Sequence, residues 1–502
     1  MSQITQTGIV ETLKDGTFLI TGSTGFLGKT LIEKLLRSCS VKNIAVIVRS
    51  KKGLTANHRI ANMFEQTFFD RLRKELPEYA KYIKVIDGDL ENPSIGLTSS
   101  DHDWLIENVN FIFHCAATVK FNEPLEIAAK INVYGTENML SLAKEMKNLK
   151  GFVHVSTAYS HCPRNEIKEQ NYPAAITPEN LKNMFDLKEE LPQKILGDWP
   201  NTYCFTKAIA ENVIFKSGNH LPISVFRPSI IGCTKSEPCP GWLDNMNGPS
   251  GIATGVIVGF IRTIPLEANK VTDMVPVDYT VNAMISVMWN TVHRYQGTYE
   301  TNKEPKIYNY VSSVESPLTW GKYIKEMQVY YQNAPPFRSM WYRFNVFYTN
   351  IWIGMILRFL LHRIPAAFMD LLLLVRGKKT KLLKMYSKIE SMMDLLYFFT
   401  TRQWTFDNSN TKELWLLLSE EDRSMFQYSF DKFDWNSYIE DNFYGIRKHI
   451  LHEDISNISE AITKNRKLFW LHQLFIGFIF YIVIQIFWWL KSFIFYHISI
   501  IF

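Results

Sequence analysis

The 502-residue sequence predicts an α/β protein: a doubly wound parallel sheet, then a C-terminal helical domain and a C-terminal transmembrane helix. Three observations carry that expectation. Short runs rich in Val, Ile and Phe alternate with helix-like stretches through the first third of the chain. These runs lack polar alternation, as strands buried on both faces of a helix-covered parallel sheet do. At the other end, residues 468–490 carry no formal charge and are about as long as a helix that crosses a bilayer.

The strand-like runs follow in order. TFLIT (17–21) comes first and leads into a helix over 29–37. Next come NIAVIV (43–48), KYIKVIDGDL (81–90), NFIFHCA (110–116) and FVHVST (152–157), and ISVFRPSIIG (223–232) predicts one more strand. This βαβ rhythm is that of a doubly wound fold. Beyond about Pro317 it stops. Residues 341–375 are strongly apolar, but Arg358, His362, Arg363 and Asp370 cut them into pieces too short to span a membrane. They read either as an ordinary helical core or as an apolar cap that lines a lipid tunnel or lies on a membrane surface. Residues 376–463 read as helical, polar and aromatic. The final apolar stretch has Trp470, Trp488 and Trp489 near its ends, where amphipathic rings favour the interface. Lys464, Arg466 and Lys467 precede it and only Lys491 follows closely, so the positive-inside tendency leaves the large N-terminal part in the cytosol.

Composition narrows the function. A formal charge of +6 is small for this length, and no dense basic run interleaves with aromatics, which leaves nucleic-acid binding unsupported. The six cysteines are scattered without metal-like or paired spacing, so no metal site is expected. No basic region followed by an apolar stretch opens the chain, and a reducing, cytosol-facing protein is the expectation.

Gly22, Gly25 and Gly28 lie between the first strand and its helix. Their spacing departs from the commoner G-x-G-x-x-G, and placement gives them meaning. After a strand and before a helix, backbone N–H groups can hold a pyrophosphate. The second strand runs into Arg49-Ser-Lys-Lys-Gly with no carboxylate to take a ribose 2′-OH. A guanidinium there pairs with a 2′-phosphate, which favours NADP over NAD with Arg49 as the leading contact. Asp89 and Leu90 sit where an adenine contact is often placed.

Tyr203 and Lys207 stand one helical turn apart on one face. An ammonium beside a phenol stabilises the phenolate and suits the tyrosine to acid–base work. Tyr428 and Lys432 share that spacing by accident, so placement within the nucleotide-binding half distinguishes Tyr203. Ser156 and Thr157 end a strand where doubly wound sheets put their sites, and a hydroxyl there can share a carbonyl oxyanion with Tyr203.

In this order TGSTGFLGKTLIEKLLRSC, IAVIVRSKKG, HCAATVKF, INVYGTENML, FVHVSTAY, NTYCFTKAIAE and FRPSIIG resemble an extended short-chain dehydrogenase/reductase with its Rossmann fold. More narrowly they resemble the eukaryotic fatty acyl-CoA reductases. The likeness runs from about residue 14 to 315, then more loosely through HRIPAAFMDLLLLVRGKK and the remaining C-terminal region. It implies alcohol-forming, NADPH-dependent reduction of long-chain acyl-CoA through an aldehyde, with release of CoA. Tyr203 would be the proton donor, Lys207 its partner, and Thr157, less surely Ser156, the oxyanion hydroxyl. Gly22, Ser23, Thr24, Gly25, Phe26, Leu27, Gly28, Arg49, Asp89, Leu90, Ala116, Lys207, Pro228 and Ser229 would hold NADPH. Asn132 would help position Lys207 through water.

The same resemblance divides the chain into an NADPH-binding reductase domain (1–335), a C-terminal helical domain (336–463), an anchor (468–490) and a short tail (491–502). It implies an enzyme of the peroxisomal membrane or endoplasmic reticulum, with fatty alcohol for wax or ether lipid as product. Acyl-CoA and membrane lipid are the expected partners, and the oligomeric state stays open. Two rival readings use the same residues. One is a membrane-bound NAD(P)-dependent sterol or sugar-nucleotide dehydrogenase or epimerase; the apolar C-terminal region argues against a sugar. The other is a non-catalytic NADPH-binding protein; intact Thr157, Tyr203 and Lys207 argue against it.

Overall fold

The computed structural model describes residues 7–51, 53–186, 193–218, 220–246, 248–296 and 304–501. Residues 1–6 of the expected 1–335 domain, and residue 502 of the expected tail, lie outside the described residues. Seven strands form one sheet: β1 Thr17–Thr21, β2 Asn43–Val48, β3 Ile83–Asp87, β4 Phe111–His114, β5 Gly151–Val155, β6 Ile223–Pro228 and β7 Lys306–Tyr310. They stand in the order β7-β6-β5-β4-β1-β2-β3, and every pair is parallel.

Successive side chains of a strand point to opposite faces, and here both faces are apolar. Phe18 and Ile20 of β1 enter one core while Leu19 enters the other; Val46 and Ile47 of β2 divide in the same way. Helices cover both sides. α1 (Phe26–Ser38) lies with the first core and α2 (Ala56–Phe64) follows β2. α3 (Gly135–Glu145) and α4 (Thr202–Ser217) close the second core, and α5 (Val277–Gln296) returns to the first. The strand order reverses between β1 and β4, so a crevice opens at the carboxyl ends of the strands there. It is the doubly wound parallel sheet that the sequence predicts.

Two details differ from the sequence reading. The run 223–232 is two strands: β6 ends at Pro228, and Ile230–Gly232 leaves the sheet to pair with Met274–Pro276. Proline has no N–H with which to continue a ladder. The edge strand β7 is an addition. Its KIYNY pattern is broken by Asn309, whose amide donates to the carbonyls of Ile167 and Asp407 at 3.2 and 2.7 Å.

After α6 (Trp320–Asn333) come α7 (Ile351–Arg358), a π-helical turn (Phe359–Arg363), α8 (Ile364–Val375) and α9 (Leu382–Thr400). The core that holds Ile9 and α1 also takes in Tyr386, Phe426, Trp435 and Ile446. Thr405–Phe406 pairs with Glu166–Ile167, and the Ile9 N–H donates to Asp422 Oδ1 at 3.2 Å. The last helix, α10 (Ile458–Ile501), starts ahead of the expected residue 468. Its first turns pack on the body, with Ala461 and His472 buried; from Leu474 its side chains are exposed through Leu490. Among the described residues, Ile458–Ser492 is the one helix long and apolar enough to cross a bilayer.

Candidate active site

The glycine turn sits directly on the crevice. Gly22 has φ +71°, and a Cβ there would meet the Ala116 nitrogen at 2.8 Å. A Cβ on Gly28 would meet the Gly22 carbonyl oxygen at 2.3 Å, so the two ends of the turn pack too closely for any side chain. Gly25 caps α1 without a side chain to accept from the first-turn N–H groups. Those donors are suited to an anion at the helix N-terminus. The hydroxyls of Ser23 and Ser229 are buried, line the same cavity and have no hydrogen-bond partner. Open N–H groups at one end and unpaired hydroxyls along the wall fit a dinucleotide.

Every position that the sequence nominated for cofactor or catalysis lines this cavity of about 1280 Å³. Where the cavity meets the end of β2, Arg49 donates to Glu91 Oε1 at 2.6 Å and to Asp89 Oδ2 at 3.3 Å. The sequence reading missed a second guanidinium. Arg59, on α2, donates to the Arg49 carbonyl at 2.6 Å and to Thr24 Oγ1 at 3.1 Å.

At the centre, Asn201 caps α4 by accepting from the Cys204 N–H at 2.9 Å, which starts the helix so that Tyr203 and Lys207 share a face. Lys207 is buried and donates to the Val155 carbonyl at 2.7 Å. Burial pulls its ammonium down to about 8, against the opposing pull of Cys115 and Glu211. Burial also lifts the Tyr203 phenol above its ordinary value, opposed by a hydrogen bond with Thr157. The expected depression by Lys207 is absent from Tyr203: the ammonium donates to the β5 carbonyl and is not among the groups that shift the phenol. A phenol held protonated is in the right state for a proton donor.

The two hydroxyls at the end of β5 separate. Thr157 lies beside Tyr203 on the cavity wall, whereas Ser156 Oγ turns away and donates to Glu211 Oε1. Glu211 continues the Tyr203–Lys207 row by one more turn and is fully buried. It also accepts from Ser160 Oγ at 2.9 Å and from Arg227 Nε and Nη2 at 2.9 and 2.6 Å, and its Oε2 lies 2.9 Å from His161 Nε2. The network pins the segment after β5 to α4 and β6. The i, i+4, i+8 row was the available signal for Glu211; Arg227 and His161 left none. Asn132 is buried, and its amide donates to Thr206 Oγ1 at 3.0 Å and accepts from the Thr118 N–H at 2.9 Å.

Beyond Tyr203 the cavity turns apolar. Phe121 stacks on Tyr203 with centroids 5.9 Å apart and meets Phe399 of α9 at 5.6 Å. Met392, Leu395 and Leu396 of α9 extend that wall.

The chain is similar to known proteins. The family described as "Male sterility protein" matches residues 20–284 with its NAD-binding part and residues 361–453 with its "Sterile" part. "Fatty acyl-CoA reductase wat" of Drosophila melanogaster is 38% identical over 464 residues, 91% of this chain and 89% of that protein. "Fatty acyl-CoA reductase 1" of Homo sapiens is 36% identical over 462 residues, 90% of this chain and 87% of that protein. Among solved structures, the terminal R domain from the myxalamid PKS-NRPS pathway superposes with TM-score 0.58 at 19% identity, covering 88% of this chain and 93% of its own. The reductase domain of a nonribosomal peptide synthetase from Mycobacterium tuberculosis gives 0.55 at 19%, covering 87% and 92%. Those two likenesses speak to the fold, and the sequence relatives speak to the activity. The chain belongs to the fatty acyl-CoA reductases, oxidoreductases that act on acyl-CoA with a nicotinamide cofactor.

Proposed function

We propose that the protein reduces long-chain acyl-CoA to the primary alcohol in two rounds, with NADPH as the cofactor. The observation that carries this reading is the meeting of Thr157, Tyr203 and Lys207 in a cavity whose one end is the glycine turn and whose other end is the apolar wall of α9. A bound nicotinamide supplies hydride to the carbonyl carbon. Tyr203 gives its proton to the carbonyl oxygen, Thr157 holds the phenol and shares the oxyanion, and Lys207 fixes the polarity of the site from the β5 end. The hemithioacetal then returns its hydroxyl proton to the Tyr203 phenolate as its C–S bond breaks, and CoA leaves as the thiolate. The aldehyde takes a second hydride and a second proton to become the alcohol. Ser156 acts as a positioning residue through Glu211. Incubation with a panel of acyl-CoAs and NADPH, with the products identified, tests the reading; a free aldehyde as the sole product, or no acyl-dependent oxidation, would overturn it.

Arg49 and Arg59 support NADPH over NADH. Arg49→Glu puts a like charge beside a 2′-phosphate and is expected to weaken NADPH far more than NADH in a binding titration. Equal losses would leave Arg49 a loop-shaping residue only.

Lys207 predicts a pH limb. Its ammonium loses its proton as pH rises through about 8, so kcat/KM for the cofactor, which reports the free enzyme, is expected to fall above that pH. Lys207→Arg keeps the charge at all accessible pH and is expected to abolish the limb in the activity that remains.

The proposed organisation is a reductase domain (1–335), a helical domain (336–463) and an anchor (468–490) that leaves the catalytic part in the cytosol. Protease outside intact peroxisomes or endoplasmic reticulum vesicles is expected to digest the N-terminal part. Protection of that part would reverse the orientation.

A further inference from the structure

We propose that the outer face of α7 and α8 is a second membrane contact, lying in the plane of the bilayer that α10 enters, with an anionic lipid surface as its occupant. The face is continuous and apolar: Trp352 is 72% exposed, Phe368 60%, Leu371 57% and Val375 79%, with Ile356 and Phe359 exposed between them. A patch of this extent marks a contact surface.

Of the four residues that interrupt this segment in the sequence, Arg358, His362 and Asp370 turn inward, while the Arg363 side chain stays 58% exposed as it pairs with the body. Arg358 pairs with Asp394 at 2.6 Å, and Arg363 pairs with Glu390 at 2.7 Å. His362 Nε2 accepts from the Arg262 N–H at 3.1 Å, and the Asp370 carboxylate accepts from the N–H groups of Leu382 and Leu383. What faces outward is therefore hydrocarbon apart from the Arg363 side chain. The helix cannot cross a membrane, because its inner side is fixed to the body: Gly354 packs on the Tyr348 ring and His362 stacks on Tyr386 at 4.7 Å. An apolar face with its polar side anchored in protein suits the interface plane.

The anchor supplies the level of that plane. Trp341, Tyr342 and Phe344 touch His472 and its neighbours where α10 leaves the body. The cap of α7, Asn350, follows Phe344 closely enough that extended chain covers at most roughly 20 Å between them. Past α8 come Arg376, Lys378, Lys379, Lys381, Lys384 and Lys388, a cluster that attracts anionic headgroups. α9 then turns back, and its inner side walls the cavity. The acyl end of the site thus lies beside lipid, a use that rests on the acyl-CoA reading, although the contact itself does not.

Spin labels on the full-length protein in phosphatidylcholine–phosphatidylserine vesicles test it, at Trp352→Cys, Leu371→Cys, Phe480→Cys in α10 and Lys144→Cys on α3, with the unsubstituted protein's signal subtracted. Labels at 352 and 371 are expected to be relaxed by oxygen and shielded from a water-soluble nickel chelate, as at 480, with the reverse at 144. Nickel access at 352 and 371 equal to that at 144 overturns the contact, whether or not 480 is shielded. Shielding from both reagents also overturns it, since a protein would then cover the face. The readout needs no turnover, so failure of the acyl-CoA reading would leave it unchanged.

Discussion

Tyr203→Phe is expected to lower acyl-CoA reduction roughly 100- to 10,000-fold, the range for a lost general acid, with cofactor binding close to that of the parent protein. The substitution keeps the ring and hence the stack on Phe121. It removes only the hydroxyl that lies beside Thr157 and carries the proton. Burial holds that proton on the phenol, so no other group need load it before the first reduction. Steady-state turnover together with a cofactor titration separates chemistry from binding. Near-normal turnover at unchanged affinity would remove Tyr203 from the proton-donor role. Thr157→Val, which leaves the phenol but takes away its partner, is expected to show a smaller loss of the same kind.

Glu211→Gln is expected to cost stability on the order of 3–5 kcal/mol, the range for breaking one partner of a buried ion pair. Arg227 is fully buried, and without the carboxylate its guanidinium keeps the carbonyls of Lys168 and Gln170 and one neutral amide oxygen, with no counter-charge. Burial pushes the Glu211 carboxyl up, but Arg227 and His161 outweigh it and hold the group well below 4.5. A carboxylate depressed in the fold contributes in full above its unfolded value and is lost only as pH falls through the folded one. Neutral-pH denaturation of the purified protein therefore reads the whole effect as a lower midpoint. Glu211→Met combined with Arg227→Met leaves no stranded charge and is expected to recover much of the loss. A single variant as stable as the parent would mean that the network is dispensable.

Much of this was legible from the chain alone, and the reason is burial. Strands with both faces covered write themselves as unbroken apolar runs, so β1, β2, β4 and β5 could be read with little error. The glycine turn could be read because Gly22 and Gly28 stand where backbone meets backbone. Partners brought from far along the chain left no such trace. Ser156 and Thr157 are equivalent in sequence, and only Glu211, arriving on α4, divides them. Arg59 reaches the Arg49 loop from a helix whose register no motif announces. In the 341–375 segment the charges looked like interruptions because their partners, Asp394 for Arg358 and Glu390 for Arg363, belong to α9. β7 was lost to Asn309, a buried amide satisfied by two carbonyls from other elements.

The pairing of Thr405–Phe406 with Glu166–Ile167, and of Asp422 with the Ile9 N–H, also governs how the chain must be made. Translation delivers the early strands first, at about 5–20 residues per second. The nascent sheet must then wait tens of seconds, at that rate, for the segments that cover its first core. Phe426, Trp435 and Ile446 belong to that same core, so an unfinished chain holds apolar surface open to the cytosol throughout the wait. Chaperones that bind exposed hydrocarbon have their opportunity in this interval. The catalytic body closes only shortly before the apolar helix α10 emerges.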